Sequence, residues 1–306
     1  MKRVVFRVDI SPTIGTGHFM RMSVLADAFI EMGCECAIFT GEDEPIDYEP
    51  YDIIVLDTYL LNDGYISLLR KPRRVLVCYD DNALYKYDCD IILNANLHAS
   101  ELDFRYAGRK PKMLLGTSYA LLRNEFKESE RAEIREDAKN VFICFGGSDI
   151  RNFTAFVIKS LCNIPDIQLT VALGKHTTSD NEALEQKGKN IEILKNPVPL
   201  SAVMKRCDIA VTAAGSMVYE LAALGLPAIV IPQADNQKLI ADHLNKHGLM
   251  KALGQWDIVE SNTLRDEVVN LLNNYPRRKT ESEKLTETVN PHGAMKAAME
   301  ILSLHQ

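Results

Sequence analysis

Three consecutive runs decide the fold: Val4-Val5-Phe6-Arg7-Val8-Asp9, Ile14-Gly15-Thr16-Gly17-His18, and Phe19 to Met32. The first is apolar and reads as a buried strand. The third reads as a helix. Between them, two glycines let the backbone turn sharply and come close to a ligand. The helix that follows aims free N–H groups and a partial positive charge at whatever occupies that turn. His18 stands at its mouth, and an imidazole there can take a proton near neutral pH. A second strand and glycine turn, Phe145-Gly146-Gly147-Ser148, lies near mid-chain. Two such turns predict a cleft between two α/β domains, with a phosphate-bearing substrate across it.

The 306 residues allow two domains of about 150 each. At 46% hydrophobic, each half can bury its own core. The net charge of -7 excludes a general polyanion-binding surface, so no nucleic acid is expected and any phosphate site must be local. Seven cysteines, an odd number mostly set in apolar runs, predict reduced thiols in a cytoplasmic protein. The pair Cys34 and Cys36 has no His/Cys partner pair at zinc spacing. The N-terminus enters a strand without a signal peptide. No apolar run reaches the roughly 18 residues of a membrane span. A monomer without metal or cofactor is the expectation.

Strand-like and helix-like runs alternate along the whole chain. In the first half, Val4–Asp9, Cys36–Thr40, Ile53–Asp57, Val75–Tyr79, Ile91–Asn94 and Lys112–Gly116 read as strands. In the second half, Asn140–Phe145, Gln168–Leu173, Ile191–Leu194, Asp208–Thr212 and Ala228–Ile231 do so. Helices are expected at His18–Met32, Phe153–Leu161, Ser201–Arg206, Ser216–Leu224 and Gln237–His247. This rhythm predicts parallel sheets with helices on both faces. Residues 1–135 form the expected first domain, and 136–290 the second. The charged stretch Arg123–Asp137 serves as a solvated link. Residues 291–306 are expected to end in a helix, Ala294–Leu302, that packs back on the first domain.

In open parallel sheets, ligands bind at the carboxyl ends of strands. Gly15-Thr16-Gly17 lacks the third glycine of a dinucleotide fingerprint, and no Gly-Lys-Ser/Thr marks a P-loop. Arg21 lies one turn beyond His18 and can reach an anionic group. Asp57, Tyr59, Tyr79, Asp80 and Asp81 cluster at first-domain strand ends, fit for acid/base work or for orienting His18. Asp80 and Asp81 point apart in an extended chain, unlike an alternating metal-binding pair. In the second half, the amides of Gly146 and Gly147 with Ser148 suit a pyrophosphate. Gly215, Ser216 and Met217 open a helix, with Ser216 as N-cap or phosphate ligand. Glu220, one turn later, can accept from ribose hydroxyls. The amides of Asn236 and Gln237 suit sugar hydroxyls and acetamido groups, or plain helix capping.

Taken in order, Phe6-Arg7-Val8-Asp9, the His18 loop with Arg21, Asp57-Thr58-Tyr59, Asp80-Asp81, Leu93-Asn94-Ala95-Asn96, Gly116 to Arg123 and Cys144 to Asp149 form a specific set. The chain resembles the family of UDP-2,4-diacetamido-2,4,6-trideoxy-β-L-altropyranose hydrolases of pseudaminic acid (nonulosonate) biosynthesis. Spore-coat polysaccharide proteins share these motifs. The family is similar to the lipid-II N-acetylglucosamine transferase and shares its GT-B architecture of two Rossmann-like domains. The resemblance implies that the second domain binds UDP, through Gly146, Gly147, Ser148, Gly215, Ser216, Met217 and Glu220. It implies that His18 is the general base. Gly15, Gly17, Arg21, Asp57, Tyr79, Asp81, Asn236 and Gln237 would then surround the sugar and phosphates. Thr58 stands where some relatives have a histidine.

The implied reaction is attack of water at the anomeric carbon, with inversion and loss of UDP into helix-end amides. Two other readings stay open. One is a GT-B glycosyltransferase acting on an acceptor, for which the basic cluster Arg70, Lys71, Arg73 and Arg74 would matter. The other is a UDP-sugar-binding protein without turnover.

Overall fold

The computed structural model describes residues 1–9, 17–40, 46–59, 61–147, 149, 151–174, 177 and 190–305. Gly15 and Ser148 lie outside the described residues. The chain divides into two compact units, Met1–Asn124 with Asn290–Gln306, and Glu125–Val289.

The first unit holds strands β1 (Arg3–Val8), β2 (Glu35–Phe39), β3 (Ile53–Asp57), β4 (Val75–Tyr79), β5 (Lys86–Tyr87), β6 (Ile91–Asn94), β7 (Arg105–Tyr106) and β8 (Lys112–Leu115). Six of them form a parallel sheet in the order β2-β1-β3-β4-β6-β8. The short β5 and β7 pair separately. Continuous apolar strands suit a sheet covered on both faces. Val4, Phe6 and Val8 of β1 pack with Met22, Leu25 and Phe29 of the helix Gly17–Glu31. Val5, Ile54 and Leu56 face the opposite cluster, with Ile66 and Tyr87. Full burial of one such side chain contributes about 1.5–3 kcal/mol. Gly33, at φ +80, ends the first helix in a left-handed turn, and the Cys34 amide bonds back to Phe29 O at 3.0 Å.

The C-terminal helix, Gly293–Leu302, places Ala294, Ala297, Ala298 and Ile301 in the core of this first unit. Its small residues permit close approach. A Cβ on Gly293 would stand 2.5 Å from Ala120 O.

The second unit holds β9 (Asn140–Cys144), β10 (Gln168–Leu173), β11 (Ile191–Lys195), β12 (Ile209–Thr212), β13 (Ala228–Val230) and β14 (Lys251–Ala252). They form a parallel sheet in the order β11-β10-β9-β12-β13-β14. Counted from its first strand, this is the doubly wound order of dinucleotide-binding sheets. Val141, Ile143, Val211 and Ile229 pack there with Val157 and Leu161 of the helix Phe153–Leu161 and Leu264 and Val268 of the helix Ser261–Asn273.

The link between the halves differs from the expected solvated stretch. The division falls at Asn124 rather than 135 because residues 125–136 are tied to the second unit. The Ser201 amide donates to Glu125 Oε2 at 2.9 Å, and the Ala132 amide to Leu224 O at 2.8 Å. Arg278, fully buried, donates from Nη2 to Arg135 O and Glu136 O at 2.7 and 3.1 Å. No helix among the described residues is long and apolar enough to cross a membrane.

In each sheet the strand order reverses direction at one point, and ligands bind outside the carboxyl ends of strands there. That point lies between β1 and β3 in the first unit and between β9 and β12 in the second. His18 follows β1 and Asp57 ends β3; Gly146 and Gly147 follow β9, and Gly215 follows β12.

Candidate active site

In the first unit, His18 Nδ1 lies 2.7 Å from Oδ1 of Asp57, which is 1% exposed. Arg21 sits one helical turn from His18, so both side chains reach the end of β3. It donates from Nε to Asp57 Oδ2 at 2.6 Å and from Nη2 to Oδ1 at 2.5 Å. Its third nitrogen, Nη1, donates to Asp81 Oδ2 at 2.9 Å. Asn96 Nδ2 donates to the other Asp81 oxygen at 2.6 Å. The guanidinium also lies over the Tyr79 ring, with Cζ 4.0 Å from the centroid. A planar fork of donors suits this two-oxygen grip, and a stacked aromatic face steadies it.

The electrostatics follow from those contacts. Burial alone would raise the Asp57 carboxyl, but Arg21 and His18 outweigh it and hold the group below the usual carboxylate range. Burial likewise opposes the Arg21 charge, and Asp57 and Asp81 more than offset it, so Arg21 stays cationic. An ionised carboxylate only accepts, so the 2.7 Å contact is satisfied by the tautomer with the ring proton on His18 Nδ1; Arg21 Nη2, 3.1 Å from the same nitrogen, then directs its hydrogen to Asp57 Oδ1. Nε2 is then the basic nitrogen. A carboxylate so placed fixes the tautomer and the orientation of the ring.

The neighbours divide by direction. Asp80 turns away from Arg21: its carboxylate accepts from the Tyr87 hydroxyl and, at 3.2 Å, from the Asn82 amide. Tyr79, expected to line a sugar pocket, is only 4% exposed and lies against Arg21 instead. Gly17 is the first residue of the helix, with nothing within 4 Å of an added Cβ. Asn96 and Tyr59 join the cluster through Asp81 and His18. Both stand at strand ends and within the motifs Asp57-Thr58-Tyr59 and Leu93-Asn94-Ala95-Asn96.

In the second unit, Gly146 has φ +85, a conformation that favours glycine, and turns the chain sharply after β9. Gly147 packs directly on Gly174. The amides at the start of the helix Phe153–Leu161 are not open to a phosphate. Asp149 Oδ1 accepts from Phe153 N at 2.9 Å and Oδ2 from Thr154 N at 3.0 Å, so the chain supplies its own anion there. The helix Met217–Leu224 differs. Ser216, exposed at its N-terminus, makes no side-chain capping bond. Glu220 lies in its first turn and is buried. Gln237 Oε1 accepts from Gln233 N at 2.8 Å, which leaves its Nε2 facing Gly215, 3.7 Å from an added Cβ. Asn236 is exposed in the turn Asp235–Gln237.

The glycosyltransferase family 28 C-terminal domain pattern matches residues 140–297, from β9 into the last helix and more than half of the chain. A UDP-2,4-diacetamido-2,4,6-trideoxy-beta-L-altropyranose hydrolase of Campylobacter jejuni is 26% identical over 269 residues, covering 80% of this chain and 97% of that protein. A Helicobacter pylori protein, pseudaminic acid cytidylyltransferase and UDP-2,4-diacetamido-2,4,6-trideoxy-beta-L-altropyranose hydrolase, is 25% identical over 79% of this chain. The match spans 47% of that longer protein. Among solved structures, MurG of Acinetobacter baumannii superposes with a TM-score of 0.68 at 14% identity, covering 99% of this chain and 100% of that one. The fold is of the GT-B type, with two Rossmann-like units.

Proposed function

The chain belongs to the glycosyltransferase family 28 C-terminal domain family, and we propose that it is a nucleotide-sugar hydrolase of pseudaminic acid biosynthesis. Its substrate is UDP-2,4-diacetamido-2,4,6-trideoxy-β-L-altropyranose, the class of compound named in the two relatives. The observation that carries the reading is the His18 Nδ1 to Asp57 contact of 2.7 Å, on a carboxylate that Arg21 keeps ionised.

In the proposed step, His18 Nε2 takes a proton from water. The water oxygen attacks the anomeric carbon opposite the leaving group. The carbon–oxygen bond to the diphosphate breaks, and its electron pair leaves on UDP. A single displacement inverts the anomeric centre. Asp57 meets the charge that His18 acquires. Backbone amides at the Gly146-Gly147 turn and at the start of the helix Met217–Leu224 meet the charge on the departing diphosphate. Ser216 binds phosphate, Glu220 the ribose, and Asn236 and Gln237 the sugar side.

A transferase with an anionic lipid acceptor would need free basic charge on the first unit. Arg70 pairs instead with Asp88 at 3.2 Å and Asp90 at 3.5 Å, and Lys71 pairs with Glu49. Arg74 donates to Tyr48 O at 2.8 Å.

The test is the purified protein with the UDP-sugar in ¹⁸O-labelled water, without acceptor, followed by NMR and mass spectrometry. Free sugar carrying the label is the expected product. Label in UDP refutes attack at carbon, and an intact bound substrate points to a transferase. His18→Ala and His18→Asn should lose most turnover while still binding UDP.

A further inference from the structure

Tyr59 is 53% exposed, two residues beyond the end of β3. Its ring centroid is 5.1 Å from that of His18, at an interplanar angle of 54°. A single exposed tyrosine means little by itself. What sets this one apart is how it is held. Asp9, 1% exposed, accepts from Thr58 Oγ1 at 2.7 Å on one oxygen and from the Tyr59 amide at 2.5 Å on the other. A buried carboxylate is costly unless its oxygens are bonded. Here both bonds go to the two residues that present the ring beside the base.

We propose that Tyr59 is a specificity-determining residue, a stacking platform for the apolar C–H face and C6 methyl of a deoxy sugar. The inference rests on the UDP-sugar reading above. Arg21, Asp57 and Asp81 are charged and bonded to one another, so they offer a methyl group no apolar surface. An aromatic face does, and it holds little conformational entropy to lose. A hydroxyl at C6 laid on the same face would be buried without a partner. Discrimination of that kind amounts to about 10–100-fold. Asp9 is the positioning residue behind it.

The experiment compares wild type, Tyr59→Phe and Tyr59→Ala with the 6-deoxy UDP-sugar and a 6-hydroxylated UDP-N-acetylhexosamine. The phenyl ring alone should suffice, so Tyr59→Phe stays within about 3-fold of wild type. Tyr59→Ala should raise KM for the deoxy sugar about 10-fold or more, leave the pH profile of kcat in place and shrink the preference over the hydroxylated sugar. Equal losses of kcat on both sugars would mean that the ring only braces His18 and would overturn the proposal. So would an unchanged KM. The C6 methyl resonance of bound sugar should move upfield in wild type through the ring current, and not in Tyr59→Ala. If wild type binds without hydrolysing, the hydrolase reading fails, and that methyl shift alone decides the platform.

Discussion

Arg21 grips both oxygens of Asp57, Nε to Oδ2 at 2.6 Å and Nη2 to Oδ1 at 2.5 Å, while His18 Nδ1 shares Oδ1 at 2.7 Å. One carboxylate thus neutralises a cation and sets a tautomer. Asp57→Asn keeps the shape and removes the charge. Its amide can donate to Nδ1, which moves the ring proton to Nε2 and blocks the base. Steady-state kinetics should show kcat lower by about 10²–10⁴-fold. Calorimetry should show UDP binding little changed, since the assigned nucleotide residues lie in the other unit.

Arg21→Lys keeps the charge and loses the fork. Asp57 would then rise toward its ordinary value. A depressed carboxyl contributes stability that is present above the unfolded value of about 3.9 and is lost as pH falls through the folded value. Wild type should therefore lose this contribution only below about pH 4. The variant should be weaker at pH 7 by about 1–3 kcal/mol and depend less steeply on acid. Urea midpoints from pH 7 to 3 measure both.

His98 titrates in a different window. It is 3% exposed, and neither ring nitrogen has a hydrogen-bond partner of good geometry among the described residues. Burial pushes the imidazole below its ordinary value, against weaker upward pulls from a poorly aligned approach to the Asp81 backbone and from the charges of Asp81 and Glu101. The folded state thus holds His98 neutral while the unfolded chain protonates from about pH 6.5 downward. Stability is full above that pH and falls by at most about 1.4 kcal/mol per unit until the folded value is reached. His98→Leu removes the orphan nitrogens at similar volume. Its urea midpoint should change less between pH 8 and 5.5 and exceed that of wild type at the acid end.

Much of this is legible in the sequence, and the reason is local. Ile53–Asp57, Val75–Tyr79 and Ile91–Asn94 are unbroken apolar runs that stop at a polar residue, and the strands keep those bounds. The placement of His18, Arg21 and Asp57 followed from strand ends and one helical turn. That Asp80 and Asp81 point apart was readable from the pleat; which of them meets Arg21 depended on a partner, Tyr87, that no spacing announced. The capping by Asp149 was hidden because a carboxylate after a glycine turn reads equally as a ligand or as a cap. The link at 125–136 looked solvated because its charges are numerous, whereas its backbone groups are what bind the second unit.

Gly174 offers the sharpest test of the nucleotide side. Its φ is not positive, so alanine suits the backbone. Space is the obstacle: an added Cβ would stand 2.5 Å from the Cα and carbonyl carbon of Gly147. Backbone cannot yield like a flexible side chain, so the Gly146-Gly147 turn must move. Overpacking of this kind costs about 1–3 kcal/mol of stability. If that turn holds the diphosphate, Gly174→Ala should also weaken UDP binding about 10-fold or more, because misplaced amides lose their bonds to the anion. UDP titration by calorimetry, with thermal unfolding as the control, separates the two effects. A lower melting temperature with unchanged UDP affinity would make the turn a packing device and move the phosphate site to Gly215 and Ser216 alone.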